Sequence, residues 1–350
     1  MSIPTTTKSY ILPQLRSYND LTVKESSIRP PKSTEVLVKV HAVSLQFRDL
    51  IISKNLYPLP SIKENLVPGS DAAGEVIAVG EDVEAWKVGD RVCANFLIDH
   101  IDGEPTAENA KKALGGSIQG VLSEYVLFPA HSLVGVPEHL SYEEASTLPC
   151  AAVTAYSALQ GPVPIKAGDY VLVQGTGGVS IFGLQFAVAS GAIVIATSSS
   201  DEKLKIASKL GAKHVINYKT TPEWDQKVKE ITGGRGVDHV IEVGGPGTLP
   251  KSLRSIKKAG WIHVVGFLSQ DKPKPEDANL VGPIIGHSAF VRGILIGSVA
   301  QFNAMNRLIT ANNLKPVVDK VFPWESAIDA YKYLESQAHV GKVVIKVTKD

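Results

Sequence analysis

With 350 residues, 44% of them hydrophobic, the chain carries enough apolar surface for two cores, and a formal net charge of +1 leaves no electrostatic footprint for nucleic acid or an anionic membrane. Two cysteines, Cys93 and Cys150, cannot build a disulfide framework and fit a reducing compartment. No basic-then-apolar leader opens the chain and no apolar run is long enough to cross a bilayer, so the expectation is a cytoplasmic protein with no membrane and no nucleic-acid partner.

The N-terminal third reads as short strands at 22–25, 35–43 and 72–79, rich in β-branched residues and separated by Pro30-Pro31, Pro68-Gly69 and Val88-Gly89-Asp90. Many short strands with frequent turns predict a small barrel or sandwich. Residues 47–55 read as a short helix. From Ile98 to Gly120 the composition shifts to Asp, Gly, Glu, Pro, Ala and Lys, which predicts an exposed lobe with a helical middle at 107–114.

Past Asp169 the pattern changes. An apolar run at 170–174 predicts a strand buried on both faces, Gly175, Gly177 and Gly178 a tight turn, residues 179–190 a helix with small Gly183, Ala187 and Ala189, and 192–197 a second parallel strand. Strand, glycine turn, helix and strand form the unit whose helix N-terminus accepts a diphosphate. Thr176 and Val179 join the three glycines as cofactor candidates. Ser180 occupies the fingerprint's third glycine position, so an ordinary turn remains the alternative. After the second strand stand Thr197, Ser198, Ser199 and Ser200, then Lys203, instead of the acid that would hold the ribose hydroxyls of NAD. Hydroxyls and an ammonium suit a 2′-phosphate, so Ser198, Ser199 and Lys203 point to NADP, although the same residues also suit a helix cap. Two further buried strands, within 236–245 and 260–267, end in glycines; Val243, Gly244, Gly266 and Phe267 at their C-terminal ends are expected near the nicotinamide and its ribose.

Several motifs, in order, resemble the medium-chain dehydrogenase/reductase superfamily, in its zinc-independent alcohol dehydrogenase-like and quinone oxidoreductase-like branch. They are Gly69-Ser-Asp-Ala-Ala-Gly-Glu-Val-Ile-Ala-Val-Gly80, Trp86-Lys-Val-Gly-Asp-Arg-Val92, Gly120-Val-Leu-Ser-Glu-Tyr-Val126, Thr147-Leu-Pro-Cys-Ala-Ala-Val-Thr-Ala-Tyr156, Val173-Gln-Gly-Thr-Gly-Gly-Val-Ser180 and Glu242-Val-Gly-Gly-Pro-Gly-Thr248. The resemblance implies an α/β fold: a Rossmann doubly wound parallel sheet domain at 150–292 plus a GroES-like β-barrel domain at 1–149 and 293–350. It also implies a cofactor contact from Thr154, a place beside the adenosine phosphate for Tyr218, and a homodimer paired through residues 290–297.

On the same resemblance, the zinc ligands of the family fall at Gln46, Ser70 (followed by Asp71) and Cys150, and the lobe that would hold structural zinc has no cysteine, so no metal is expected. In its place Gln46 offers amide donors to an oxygen on which charge develops, and Tyr57 a hydrogen bond or a proton. Ile51 stands where the quinone reductase branch has a second tyrosine. Arg48 falls at the proton-relay position of the zinc enzymes, with phosphate binding or pairing with Asp49 as alternatives. Lys342, in Val340-Gly-Lys-Val343, is the implied partner of Asp49 and is placed with the cofactor residues. The expected activity is NADPH-dependent reduction of a small-molecule ketone or aldehyde, reversible as alcohol oxidation; reduction of an enone or quinone and a non-catalytic NADPH-binding role stay open. Loops at 57–63, 96–119 and 267–285 are expected to wall the substrate pocket.

Overall fold

The computed structural model describes residues 3–58, 61–268 and 279–348. Parts of two loops expected to wall the pocket, 59–60 and 269–278, therefore lie outside the described residues. The chain divides into two compact units, Met1–Val153 with Ile296–Asp350, and Thr154–Leu295.

The first unit is built on the strand Glu35–Leu45, whose Val36, Val40, Val43 and Leu45 are fully buried. Asp71–Val79 and Tyr125–Pro129 pair with it antiparallel, as does the late strand Lys342–Lys346, in the register Val343 opposite Leu45. Val318–Pro323, Arg91–Ala94 and Leu133–Gly135 extend this to a seven-stranded sheet, and Thr22–Ser27, Thr6–Gln14 and Glu64–Leu66 form a separate three-stranded one. Gly74 permits the close approach of Asp71–Val79, since a Cβ there would lie 2.3 Å from the Lys39 carbonyl oxygen. The helix Phe47–Ser53 follows the central strand directly, with Gln46 at its N-cap and its exit at Asn55 in the left-handed region. Leu45, Ile52, Leu66, Leu122 and Tyr331 fill the interior.

In the lobe, the helix expected over 107–114 is shortened to Ala107–Ala110, started by the Thr106 hydroxyl accepting the Asn109 N–H. Lys112 and Ala113 turn back instead to meet the chain at Leu97 and Ile98, which buries Ala113 and Leu114. Tertiary pairing overrides the local helical preference here.

The second unit is a six-stranded, wholly parallel sheet in the spatial order His214–Asn217, Ile193–Ser198, Tyr170–Gln174, Val237–Glu242, Ile256–Val264 and Phe290–Gly293. The first strand in sequence, Tyr170–Gln174, is central, and the order reverses beside it, between Gln174 and Glu242; a doubly wound sheet offers its ligand crevice at that switch point. Leu172, Ile195, Val240, Ile262 and Leu253 form the core under it. Two strands depart from expectation. The one expected from residue 260 begins at Ile256 and carries a register shift around Ala259, whose φ is 55°. The edge strand stops at Gly293, because after the Ile294 N–H bonds to the Val264 carbonyl the chain leaves the sheet. Among the described residues no helix is long and apolar enough to cross a membrane.

Side by side on two of these strands, His239 and His263 are buried with His239 Nδ1 3.1 Å from His263 Nε2. Burial holds both rings neutral, His263 down to about 3 with His239 and Arg292 adding repulsion, and His239 below its ordinary value with Asp169 and Asp238 opposing. The unfolded chain takes up these protons near the ordinary histidine value of about 6.5, so the contribution is complete above that pH and is lost as pH falls toward the folded value. Chemical denaturation of the native protein and of His263→Gln across pH 5 to 7 should show the native stability falling more steeply with acid, by on the order of 1 kcal/mol per pH unit. Parallel slopes would contradict the assignment.

Candidate functional site

In the second unit the glycine turn sits at the switch point. Gly175 has φ +71°, which its lack of a Cβ allows, and Gly177 is the N-cap of the helix Gly178–Ala189 without any side-chain cap. The N–H groups of the first helical turn, around Gly177, Gly178 and Val179, thus remain for an anion, which a diphosphate fits. Thr176 is buried beside them, and the Ser180 hydroxyl donates to the Gln174 carbonyl oxygen at 2.6 Å, so the residue at the third fingerprint position holds the turn to the strand.

At the adjoining strand ends, Ser198 lies opposite Asn217, and the Tyr218 N–H donates to the Ser198 carbonyl oxygen at 3.0 Å. The structure therefore brings Ser198, Ser199 and Tyr218, 42% exposed, to one corner. Lys203 lies on the first turn of the helix Asp201–Lys209, which Ser200 caps by accepting the Lys203 N–H, so the capping reading of this stretch holds together with any phosphate role. The nearby acid Asp201 is engaged by the Asn217 amide at 2.8 Å. Thr154 is buried in the helix Val153–Leu159.

Across the switch point, Val243, Gly244, Gly266 and Phe267 meet at the ends of two neighbouring strands. The Leu268 N–H bonds to the Val243 carbonyl oxygen, and a Cβ on Gly266 would lie 2.7 Å from that oxygen. Glu242 organises this corner in a way the sequence reading missed. Fully buried, its carboxylate accepts from Gln174 Nε2 at 2.8 Å, the N–H groups of Gly244 and Gly245 at 2.8 and 2.9 Å, Thr248 Oγ1 at 2.5 Å and Ser252 Oγ. Gln174 closes the network through its Oε1, which accepts the Val243 N–H at 3.3 Å. The signal was the motif Glu242-Val-Gly-Gly-Pro-Gly-Thr248, read for its glycines and not for its acid.

In the first unit, Gln46, Ser70, Asp71 and Cys150 come together. Gln46 Nε2 donates to Asp71 Oδ2 at 2.5 Å, Ser70 Oγ to Asp71 Oδ1 at 2.6 Å, and the Cys150 N–H to Asp71 Oδ2 at 3.0 Å. Burial raises the Asp71 carboxyl to about 7, against the pull of Lys342 and of the Ser70 hydrogen bond. Burial and the adjacent Asp71 also raise the Cys150 thiol far above its ordinary value, which keeps it protonated. Among the described residues, no three His, Cys, Asp or Glu side chains are grouped so as to hold a metal ion.

Asp49 accepts the Gln46 N–H at 2.7 Å through Oδ2, while its Oδ1 has no hydrogen-bond partner. Lys342 does not close the expected hydrogen-bonded pair with Asp49. Its ammonium donates to the Leu45 carbonyl oxygen, where the strand pairing carries it, and reaches Asp71 and Asp49 through space. It is buried in the first unit, with its pKa lowered by desolvation.

Arg48 neither pairs with Asp49 by hydrogen bond nor stands free. Its guanidinium packs over the Tyr57 ring at 4.9 Å and the Phe96 ring at 4.7 Å and donates to the Leu114 carbonyl oxygen at 2.8 Å. Gly116 makes room for it, since a Cβ there would lie 2.2 Å from Arg48 Nη2. Half-buried Tyr57 is thereby fixed by its cationic neighbour.

Residues 32–138 match the family model of the alcohol dehydrogenase GroES-like domain, and residues 178–311 that of zinc-binding dehydrogenase. A zinc-type alcohol dehydrogenase-like protein from Schizosaccharomyces pombe is 51% identical over 315 residues, 89% of this chain and 91% of its own. The human quinone oxidoreductase is 29% identical, covering 90% of each. Among solved structures, a protein assigned as an alcohol dehydrogenase from Sinorhizobium meliloti superposes with a TM-score of 0.90 at 36% identity, over 99% of this chain and 100% of its own. An NAD-dependent alcohol dehydrogenase superposes with a TM-score of 0.86 at 30% identity, over 97% and 100%.

Replacing Glu242 by Leu would strand several buried donors, each at a cost of about 1–3 kcal/mol. Thermal unfolding of Glu242→Leu should fall well below that of the native protein and of Glu242→Gln, which keeps one carbonyl acceptor. Equal melting temperatures for the three would show that the carboxylate does not hold this corner.

Proposed function

The chain belongs to the medium-chain dehydrogenase/reductase superfamily of nicotinamide-dinucleotide-dependent oxidoreductases, and from that membership we propose that it is a zinc-independent, NADPH-dependent reductase of ketones or aldehydes, reversible as an alcohol dehydrogenase. The observation that carries this reading is the donor set around Asp71. A catalytic zinc takes three ligands. Here the set is an amide, a hydroxyl that donates to Asp71, the Asp71 carboxyl and one thiol, and among the described residues no three side chains of the ligating classes gather.

NADPH is supported by the corner of Ser198, Ser199 and Tyr218, with Lys203 on the first turn of the helix that follows, since hydroxyls and an ammonium suit a 2′-phosphate. When bound, the reduced nicotinamide supplies hydride to the carbonyl carbon. Gln46 donates an amide N–H to the carbonyl oxygen as charge develops there, and the Tyr57 hydroxyl is the proton source. The same donor would serve an enone or quinone, which also pass through an oxyanion, and the likeness to human quinone oxidoreductase favours this second reading. The edge strand Phe290–Gly293, with Phe290 48% and nearby Ile285 72% exposed, fits pairing with a second copy of the chain.

NADPH and NADH consumption with an aryl ketone, an aliphatic aldehyde, an α,β-unsaturated ketone and an ortho-quinone, in the presence of chelator and with products identified, tests the proposal. Alcohol formed from ketone or aldehyde with preference for NADPH is expected. Saturated ketone or hydroquinone as the sole product would move the protein to the second reading, and activity abolished by chelator would overturn the zinc-independent one. In the same assay Lys203→Ala should raise KM for NADPH about tenfold and leave NADH nearly unchanged; equal changes would remove Lys203 from the phosphate corner.

A further inference from the structure

We infer that Asp71 is a positioning residue for this reaction, a buried clamp that fixes which end of the Gln46 amide is presented to the reacting oxygen. The inference rests on the proposed role of Gln46. Gln46 is pinned through its backbone, where its N–H donates to Asp49 Oδ2 at 2.7 Å and its carbonyl oxygen accepts the Asp49 N–H at 3.0 Å. Its side chain is 8% exposed and is held by Asp71.

A glutamine amide is nearly symmetric in shape, and its last torsion is soft, so packing alone does not distinguish nitrogen from oxygen. The Asp71 oxygens act as acceptors, Oδ1 from the Ser70 hydroxyl and Oδ2 from the Cys150 N–H, and an acceptor facing the amide selects its nitrogen. Asp71 can impose that choice because it is itself immobile: fully buried, paired across the sheet at Ser44, and bonded by the Ser70 hydroxyl and the Cys150 N–H. Lys342, tied to the Leu45 carbonyl oxygen, supplies the opposing charge through space. With one N–H given to Asp71, the second remains to donate. Released from the clamp, the amide could turn and present its carbonyl oxygen, which would repel the developing oxyanion.

The test is a double-mutant cycle on carbonyl reduction with Asp71→Asn, Gln46→Ala and the pair. Asp71→Asn should lower kcat about 100-fold, the scale of losing one oxyanion donor, with KM for NADPH within about twofold of native. The double variant should match Gln46→Ala alone, since Asp71 acts through Gln46. If Asp71→Asn does not fold, Asp71→Asn with Lys342→Met removes both charges together, leaves Asp49 the Gln46 N–H and the nearby Arg48 charge, and should show the same loss of kcat. Full kcat in Asp71→Asn while Gln46→Ala is impaired overturns the clamp and leaves the role of Gln46 intact. So do losses that multiply in the double variant, which would mark an independent structural effect. Full kcat in Gln46→Ala overturns the role of Gln46 and the clamp with it.

Discussion

A carboxylate taken out of water must be surrounded by donors or countered by charge, and that constraint shapes both units of this protein. In the first unit it falls on Asp71, which is met by an amide, a hydroxyl and a backbone N–H, with Lys342 and Asp49 buried in the same region. In the second it falls on Glu242, met by two backbone N–H groups and three side chains. Each acid draws together segments far apart in sequence. Gln174 and Glu242 are 68 positions apart, and Gln46 and Asp71 are 25.

The pairing of Lys342–Lys346 with Glu35–Leu45 shows how backbone order supplies the charge that the first cluster requires. Antiparallel register sets Val343 opposite Leu45, and the neighbouring Lys342 ammonium then finds the Leu45 carbonyl oxygen. A metal ion would otherwise be the usual means of gathering such ligands and offsetting their charge. In the zinc-independent reading proposed above, a lysine and a glutamine stand in its stead, and hydrogen-bond direction sets the polarity of the site.

Much of the cofactor unit is legible in the sequence because its strands are buried on both faces and bounded by turn residues. The run at 170–174, closed by Gly168-Asp169 and Gly175, matches the strand Tyr170–Gln174, and the helix after it lies within a residue of its expected limits. The chain is less legible where tertiary pairing competes with local preference, as in the lobe helix that ends at Ala110 and the edge strand that ends at Gly293. The buried acids were the least visible. Hydropathy reads Asp71 and Glu242 as surface residues, and their partners are set by strand order, which a single sequence does not display. Motif positions did single out Gln46, Ser70 and Cys150, and they converge; the residue that joins them was passed over as the neighbour of Ser70.

The central claim, hydride delivery to a carbonyl carbon with an amide in place of a metal, is tested most directly by reducing a ketone with NADPH deuterated at the transferring position of C4. The same purified protein would be assayed for bound zinc. The account predicts deuterium at the carbinol carbon from protein with no stoichiometric zinc. Zinc at one equivalent whose removal abolishes the transfer, or no deuterium at the carbinol carbon of the ketone, would contradict it.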